Sequence, residues 1–189
     1  MILSFSFIQT WFTQGALHPL LTASHVILLT SVALLIGQQH LKLSYFISAS
    51  TAVLLGVLAN QNLALSSITN LNIELILSLF ALVISLLIIL RLRLPALLVT
   101  ALTFISIFVI AYDSEPIVIP GVGDNSVNNW LLGAFVSIIS FTALVSLLAN
   151  FLKRFWDGII LRVLGSWIAT STIFILTLSY ATLKSASIN

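Results

Sequence analysis

Residues 15–39 read "GALHPLLTASHVILLTSVALLIGQQ". The stretch holds no Lys, Arg, Asp or Glu, and its apolar residues run on continuously instead of alternating. A helix needs about 20 mainly apolar residues to cross a bilayer. Only helices or closed barrels satisfy their backbone hydrogen bonds in lipid, and a barrel strand would alternate. The run therefore predicts a membrane-spanning helix. Its mouth carries His18 and His25, seven residues apart, which pose the functional question: whether the pair holds a metal or merely decorates a helix end.

The rest of the chain agrees with this reading. Of 189 residues, 60% are hydrophobic and 6% charged, with a mean hydropathy of +1.20. Soluble domains carry about 25% charged residues. So few charges cannot clothe a globule in water, so most of the surface must face lipid or apolar partners. The expectation is one polytopic membrane domain over residues 1–189. The net charge of +2, spread over scattered basic residues, excludes nucleic acid as a natural partner. With no cysteine, disulfides and thiolate metal sites are excluded, and any metal must be held by nitrogen and oxygen. The leading "MILSFSFIQTWFTQ" has no Lys or Arg and so lacks the basic start of a signal peptide. It is expected to be retained, lying at the interface or packed on the bundle through residues 1–15.

Six segments are long and apolar enough to span: 17–37, 43–60, 73–90, 95–112, 130–152 and 158–182. The expected fold class is an all-α integral membrane bundle of about six transmembrane helices. Lys42, Arg91, Arg93, Lys153, Arg154 and Arg162 fall at the ends reached after spans one, three and five, leaving Lys184 on the other side with Glu74, Asp113, Glu115 and Asp124. Cytoplasmic loops are rich in Lys and Arg, so both termini are expected outside the cytoplasm. The expected location is a bacterial inner membrane or a thylakoid membrane. Small residues recur at four-residue spacing, as Ser48, Ala52 and Gly56, as Gly133 and Ser137, and as Gly165 and Ala169. Such ridges let helix backbones approach closely.

Few polar groups could carry chemistry. Arg162, about a turn into the last span, reads either as an interfacial anchor or as a buried functional group, with Asp157 a candidate partner. On one continuous helix His18 and His25 would share a face but stand roughly 10 Å apart along the axis, too far for a simple chelate. Pro19, however, suits a first helical turn and would put His18 at or before the cap, where the two imidazoles could approach. Imidazole suits nickel, cobalt or zinc, and carboxylates complete such sites. Asp113, Glu115 and Asp124, in the loop at the same end, are the candidates. The alternative is a pair of hydrogen-bonding interface residues. No nucleophile constellation, phosphate loop or HExxH occurs, so a non-enzymatic protein is expected.

"HPLLTASHVILLTSVALLIGQQ" in the first span, "AYDSEP" at the end of the fourth and "RVLGSWIATSTIFILTL" in the last together resemble the HupE/UreJ family, small membrane proteins associated with hydrogenase and urease clusters. The resemblance implies a nickel permease or nickel accessory protein, with Ni²⁺ or Co²⁺ as the transported ion. His18, Pro19 and His25 match the family's first motif, but Thr22 stands at its glycine and Ser24 at its aspartate. The second motif, a His-Gly pair repeated in a later helix, has no counterpart, since the third histidine is His40 on the predicted cytoplasmic side. Two functions are compatible with this pattern. One is a divalent-metal permease or delivery protein using His18 and His25, with Asp113, Glu115 or Asp124 attracting cations. The other is a non-catalytic accessory subunit that keeps the family fold, has lost transport, and packs against other membrane subunits of a larger complex.

Overall fold

The computed structural model describes residues 11–39, 41–62, 70–114, 124–155 and 158–186. Among them the chain forms seven helices and no strand: α1 (Trp11–Leu21), α2 (Ala23–Gln38), α3 (Leu43–Asn62), α4 (Asn70–Ile89), α5 (Ala96–Asp113), α6 (Asp124–Leu152) and α7 (Ile159–Ala186). Ala96–Asp113, Ser126–Leu152 and Ile159–Ala181 are long and apolar enough to cross a membrane. The pair α1 and α2 passes the same test but is bent by 75°, and Leu43–Ala59 and Ile73–Ile89 are shorter apolar helices.

Helix α2 forms the centre, packed against α4, α5, α6 and α7. It carries no charge, and every residue from Ser31 to Gln38 is buried, as befits a helix that is apolar on all sides. Large apolar side chains cover the outside of the bundle instead, with Leu54, Leu144, Trp167 and Phe174 all exposed. Many hydroxyls within the helices are spent on their own backbone: Thr30, Thr142 and Thr172 each donate to the carbonyl four residues earlier, at 2.6–2.7 Å. That pairing hides a polar group in a low-dielectric setting.

The three ridges of small residues lie buried at helix contacts. Ser48 donates to the Thr100 carbonyl at 3.1 Å, and Gly56 faces Phe108 and Ala111, so α3 lies close against α5. Gly165 faces Ile88 and Ile89 of α4. The tightest contact joins α1 to α6, where a methyl group at Gly15 would fall on the Trp130 carbonyl and one at Gly133 on the Phe12 carbonyl.

The first segment differs from the continuous helix expected over 17–37. Pro19 lies inside α1, near its end, instead of opening a helix. It has no N–H for the Gly15 carbonyl and its ring crowds that carbonyl, so α1 stops two residues later. Thr22 then takes extended backbone, at φ −82° and ψ 115°, before α2 begins. Its N–H and its hydroxyl both return to the His18 carbonyl, at 3.2 and 3.1 Å, which satisfies the broken end. Residues 11–14, expected beside the first span, are thus the opening turn of α1 and pack on α6.

Candidate functional site

The bend at Thr22 decides the geometry of the histidines. His18 sits in the last turn of α1 and His25 in the first turn of α2, so they no longer share one helix axis. Their ring centroids lie 5.7 Å apart, edge to face at 65°. On its other side His18 meets Trp130 of α6, with centroids 5.2 Å apart at 62°. The Gly15 and Gly133 contacts place this tryptophan, because they bring the α6 backbone directly beneath α1.

His25 is fully buried and pairs with Asp113, the last residue of α5, through Nε2 and Oδ2 at 2.8 Å. The carboxylate is 26% exposed, so it joins the buried imidazole to the protein surface. An ionised carboxylate only accepts, so the Nε2 proton is donated to Asp113 and the Nδ1 of a neutral ring keeps its lone pair. That Nδ1 is buried without a hydrogen-bond partner among the described residues, and so are His18 Nδ1 and the indole Nε1 of Trp130. Buried polar atoms in native proteins are nearly always paired. Three such atoms lie on neighbouring rings here, which makes the place a candidate site. A cavity of about 430 Å³ opens beside it, lined by Trp11, Gln14, Leu17, His18, Leu21, Thr22 and Trp130.

Of the five residues expected to bind metal, the fold brings together His18, His25 and Asp113, from three different helices. Glu115 lies outside the described residues, and Asp124 opens α6 with its side chain likewise outside them. Asp113 has a different place from the one expected of it. It holds the far nitrogen of His25 instead of converging with the histidines on a common point, and among the described residues no group of three or more His, Cys, Asp or Glu side chains is arranged to hold a metal ion. This is the arrangement in which a carboxylate orients a ligating imidazole from behind. The two histidines each have an Nδ1 without a partner, and Asp113 uses only Oδ2 in its contact with His25.

Sequence reasoning missed Trp130 and Gly15, and it read Gly133 as part of a small-residue ridge without the partner it meets, the Phe12 backbone. The signal for the tryptophan was its position at the end of an apolar span, where indoles gather. The glycine contacts could be found only by knowing that α1 crosses α6. Arg162, the other polar candidate, is exposed and donates through Nε to the Ile89 carbonyl at 3.1 Å, an anchoring contact between α7 and α4; Asp157 and His40 lie outside the described residues. Comparison of the chain with protein-family models, with curated proteins and with solved structures finds no match in any of the three.

Proposed function

We propose that this is an integral membrane protein of six crossings that binds a divalent transition-metal ion at its non-cytoplasmic end, through His18 and His25, for uptake or delivery. One observation carries the reading: the two neighbouring imidazoles each have a buried, unpartnered Nδ1, and Asp113 holds the other nitrogen of His25 at 2.8 Å. Two imidazoles and water suit nickel, cobalt or zinc, and the HupE/UreJ resemblance favours nickel. Asp113 orients His25 and offsets part of the ion's charge, while Glu115 and Asp124 raise the local cation concentration. The protein has no catalytic reaction in this reading. Its six crossings are the bent α1–α2 pair and α3 to α7, with the loops bearing Lys42, Arg91, Arg93, Lys153 and Arg154 in the cytoplasm and both termini outside.

The accessory-subunit reading has an observation of its own. Beyond His25 the interior of α2 is closed and apolar, with Leu28, Leu29, Val32, Leu35 and Ile36 all at most 1% exposed. Among the described residues an ion would find hydroxyls there but no imidazole or carboxylate, so passage would require the helices to part. In this second reading the histidines, Trp130 and Asp113 pin α1, α2, α5 and α6 together, and the apolar exterior packs on other subunits.

Calorimetric titration of the purified full-length chain with Ni²⁺ or Co²⁺ separates the two. Binding is expected to weaken in His18→Ala and His25→Ala and as acid protonates the imidazoles, to be unchanged in His40→Ala, and to strengthen in Ser24→Asp. Because the chain has no cysteine, single-cysteine labelling reports orientation cleanly. Gln39→Cys, Arg93→Cys and Lys153→Cys should label from the cytoplasm, and Asn60→Cys and Gly123→Cys from outside. Absence of metal binding in both wild-type and Ser24→Asp protein, with stable co-purification in a larger complex, would replace the first reading by the second. Cytoplasmic labelling at position 123 would overturn the orientation.

A further inference from the structure

A second polar site lies at the opposite end of α2, roughly 20 Å from His25 at 1.5 Å per residue. A cavity of about 740 Å³ opens there, lined by Gln38, Gln39, Arg91, Arg93, Lys153 and Leu161 among others. Among the described residues its walls hold three cations and no acidic side chain, and none of the three cations has a carboxylate partner. The histidine site does not use any of them.

Two further details show that the cavity is built. Gln38 is only 8% exposed, and its amide N–H donates to the Ile88 carbonyl at 2.9 Å. That bond fixes the amide of this lining residue and leaves its Oε1 buried without a partner among the described residues. Gln39 lies on the same wall, tied to the Leu92 carbonyl at 2.8 Å. The second detail is Arg91. Helix α4 ends with the Arg91 N–H on the Ile88 carbonyl at 3.1 Å and the Leu92 N–H on the Leu87 carbonyl at 3.4 Å. This termination calls for a left-handed residue at the position Arg91 fills, usually glycine, and Arg91 adopts it at φ 52°. An arginine held where glycine is favoured directs a guanidinium to the cavity at a conformational cost.

Two guanidinium forks and an ammonium match the several oxygens of a phosphate better than a lone carboxylate. The unpartnered Gln38 oxygen requires a donor, which an ionised phosphate ester group lacks and a hydroxyl on its alcohol supplies. We propose that this cavity binds a polyol phosphate ester, with the phosphate on Arg91, Arg93 and Lys153 and a hydroxyl donating to Gln38 Oε1. A phospholipid headgroup such as phosphatidylglycerol and a soluble ester such as glycerol 3-phosphate share this chemistry.

The test uses the full-length protein. Glycerol 3-phosphate and methyl phosphate are titrated calorimetrically into protein in neutral detergent, and native mass spectrometry counts lipids retained from phosphatidylglycerol or phosphatidylcholine nanodiscs. Wild-type protein should bind one glycerol 3-phosphate, more tightly than methyl phosphate, or retain one phosphatidylglycerol and no phosphatidylcholine. The first result assigns a soluble ligand and the second a bilayer one. Arg91→Gly and Lys153→Gln should each weaken binding about tenfold, the effect of losing one charge-assisted contact. Arg91→Gly should melt no lower than wild type, because glycine suits that backbone, so weaker binding there cannot be ascribed to misfolding. Gln38→Met should abolish the preference for glycerol 3-phosphate over methyl phosphate, which has no hydroxyl to donate. Arg154→Gln, at an exposed arginine that does not line the cavity, should bind as wild type. Binding of neither ligand, unchanged binding in Arg91→Gly, or an equal loss in Arg154→Gln would overturn the proposal.

Discussion

The pairing of His25 with Asp113 separates an orienting carboxylate from a ligating one. In Asp113→Asn the amide oxygen can still accept the Nε2 proton across the 2.8 Å contact, but the charge is gone. Charge-assisted hydrogen bonds are roughly twice as strong as neutral ones, so the protein should lose only about 1 kcal/mol of stability. In Asp113→Ala the imidazole of a fully buried His25 has no partner on either nitrogen, which should cost about 1–3 kcal/mol. If Nδ1 is the ligand, the carboxylate acts by fixing the tautomer and raising the basicity of the ring. Losing such a partner lowers metal affinity about 10–100-fold, or about 1.4–2.7 kcal/mol. Asp113→Asn should therefore leave folding almost intact while weakening Co²⁺ binding within that range, with the cobalt absorption bands keeping their nitrogen-ligand form. Thermal unfolding and cobalt titration of the same samples measure the two effects. A loss in Asp113→Asn as deep as that in His25→Ala would make Asp113 a ligand itself, and an unchanged affinity would remove it from the site.

The glycine contacts should rank by what an added methyl group meets. Gly15→Ala and Gly133→Ala push against backbone carbonyls and should cost about 1–3 kcal/mol, toward the upper end. Gly165→Ala meets the side chains of Ile88 and Ile89 at 3.1–3.3 Å, which can give way, and should cost less in the same unfolding assay. Equal losses would mean that the α1–α6 contact is looser than described. Burial holds the Lys153 ammonium below its ordinary value of 10.5, and the Arg91 and Arg93 charges push it further down. The folded protein therefore releases this proton before the unfolded chain does. The resulting stability is complete above the unfolded pKa and is lost as pH falls through the lower folded one. Competitive acylation followed by mass spectrometry should find Lys153 reacting faster than Lys42 at mildly alkaline pH, and Arg91→Gly should slow it. An unchanged rate in Arg91→Gly would show that the arginine charge does not reach Lys153.

Much of the helical framework was legible because its signal is long and simple. Apolar runs bounded by "RLRLP" and by the polar stretch after Asp113 place α5 within one residue of expectation, and α3, α4, α6 and α7 differ only at their ends. The ends extend because polar helical residues carry no hydropathy signal. Residues 124–129, "DNSVNN", read as a loop, yet they form the first turns of α6. Helix α1 escaped for a related reason. "WFTQGALHPLL" is apolar enough to merge with the residues of α2, and Pro19 sits as well in a first turn as near a last one. Only the carbonyl of His18, met twice by Thr22, shows on which side of the proline the helix lies.

The site was legible as a list of residues but not as an arrangement. His18 and His25 stand out because imidazoles are rare in apolar runs, and Asp113 because it ends a span on the same side. Their roles depend on the 75° bend, and the bend depends on α1 having somewhere to lie. That place is made by Gly15 and Gly133, distant in sequence, which let α1 sink onto the α6 backbone. A continuous helix would have carried His18 about 10 Å along the axis from His25, leaving each ring to bond separately at the interface. With the bend, the ring centroids lie 5.7 Å apart and each ring has a buried Nδ1. The same step changes the meaning of Ser24. At the mouth of a straight helix it would be a neutral neighbour of the histidines, whereas here the carboxylate next to His25 comes from α5, so His25 has an acidic partner by a route that spacing along one helix cannot reveal.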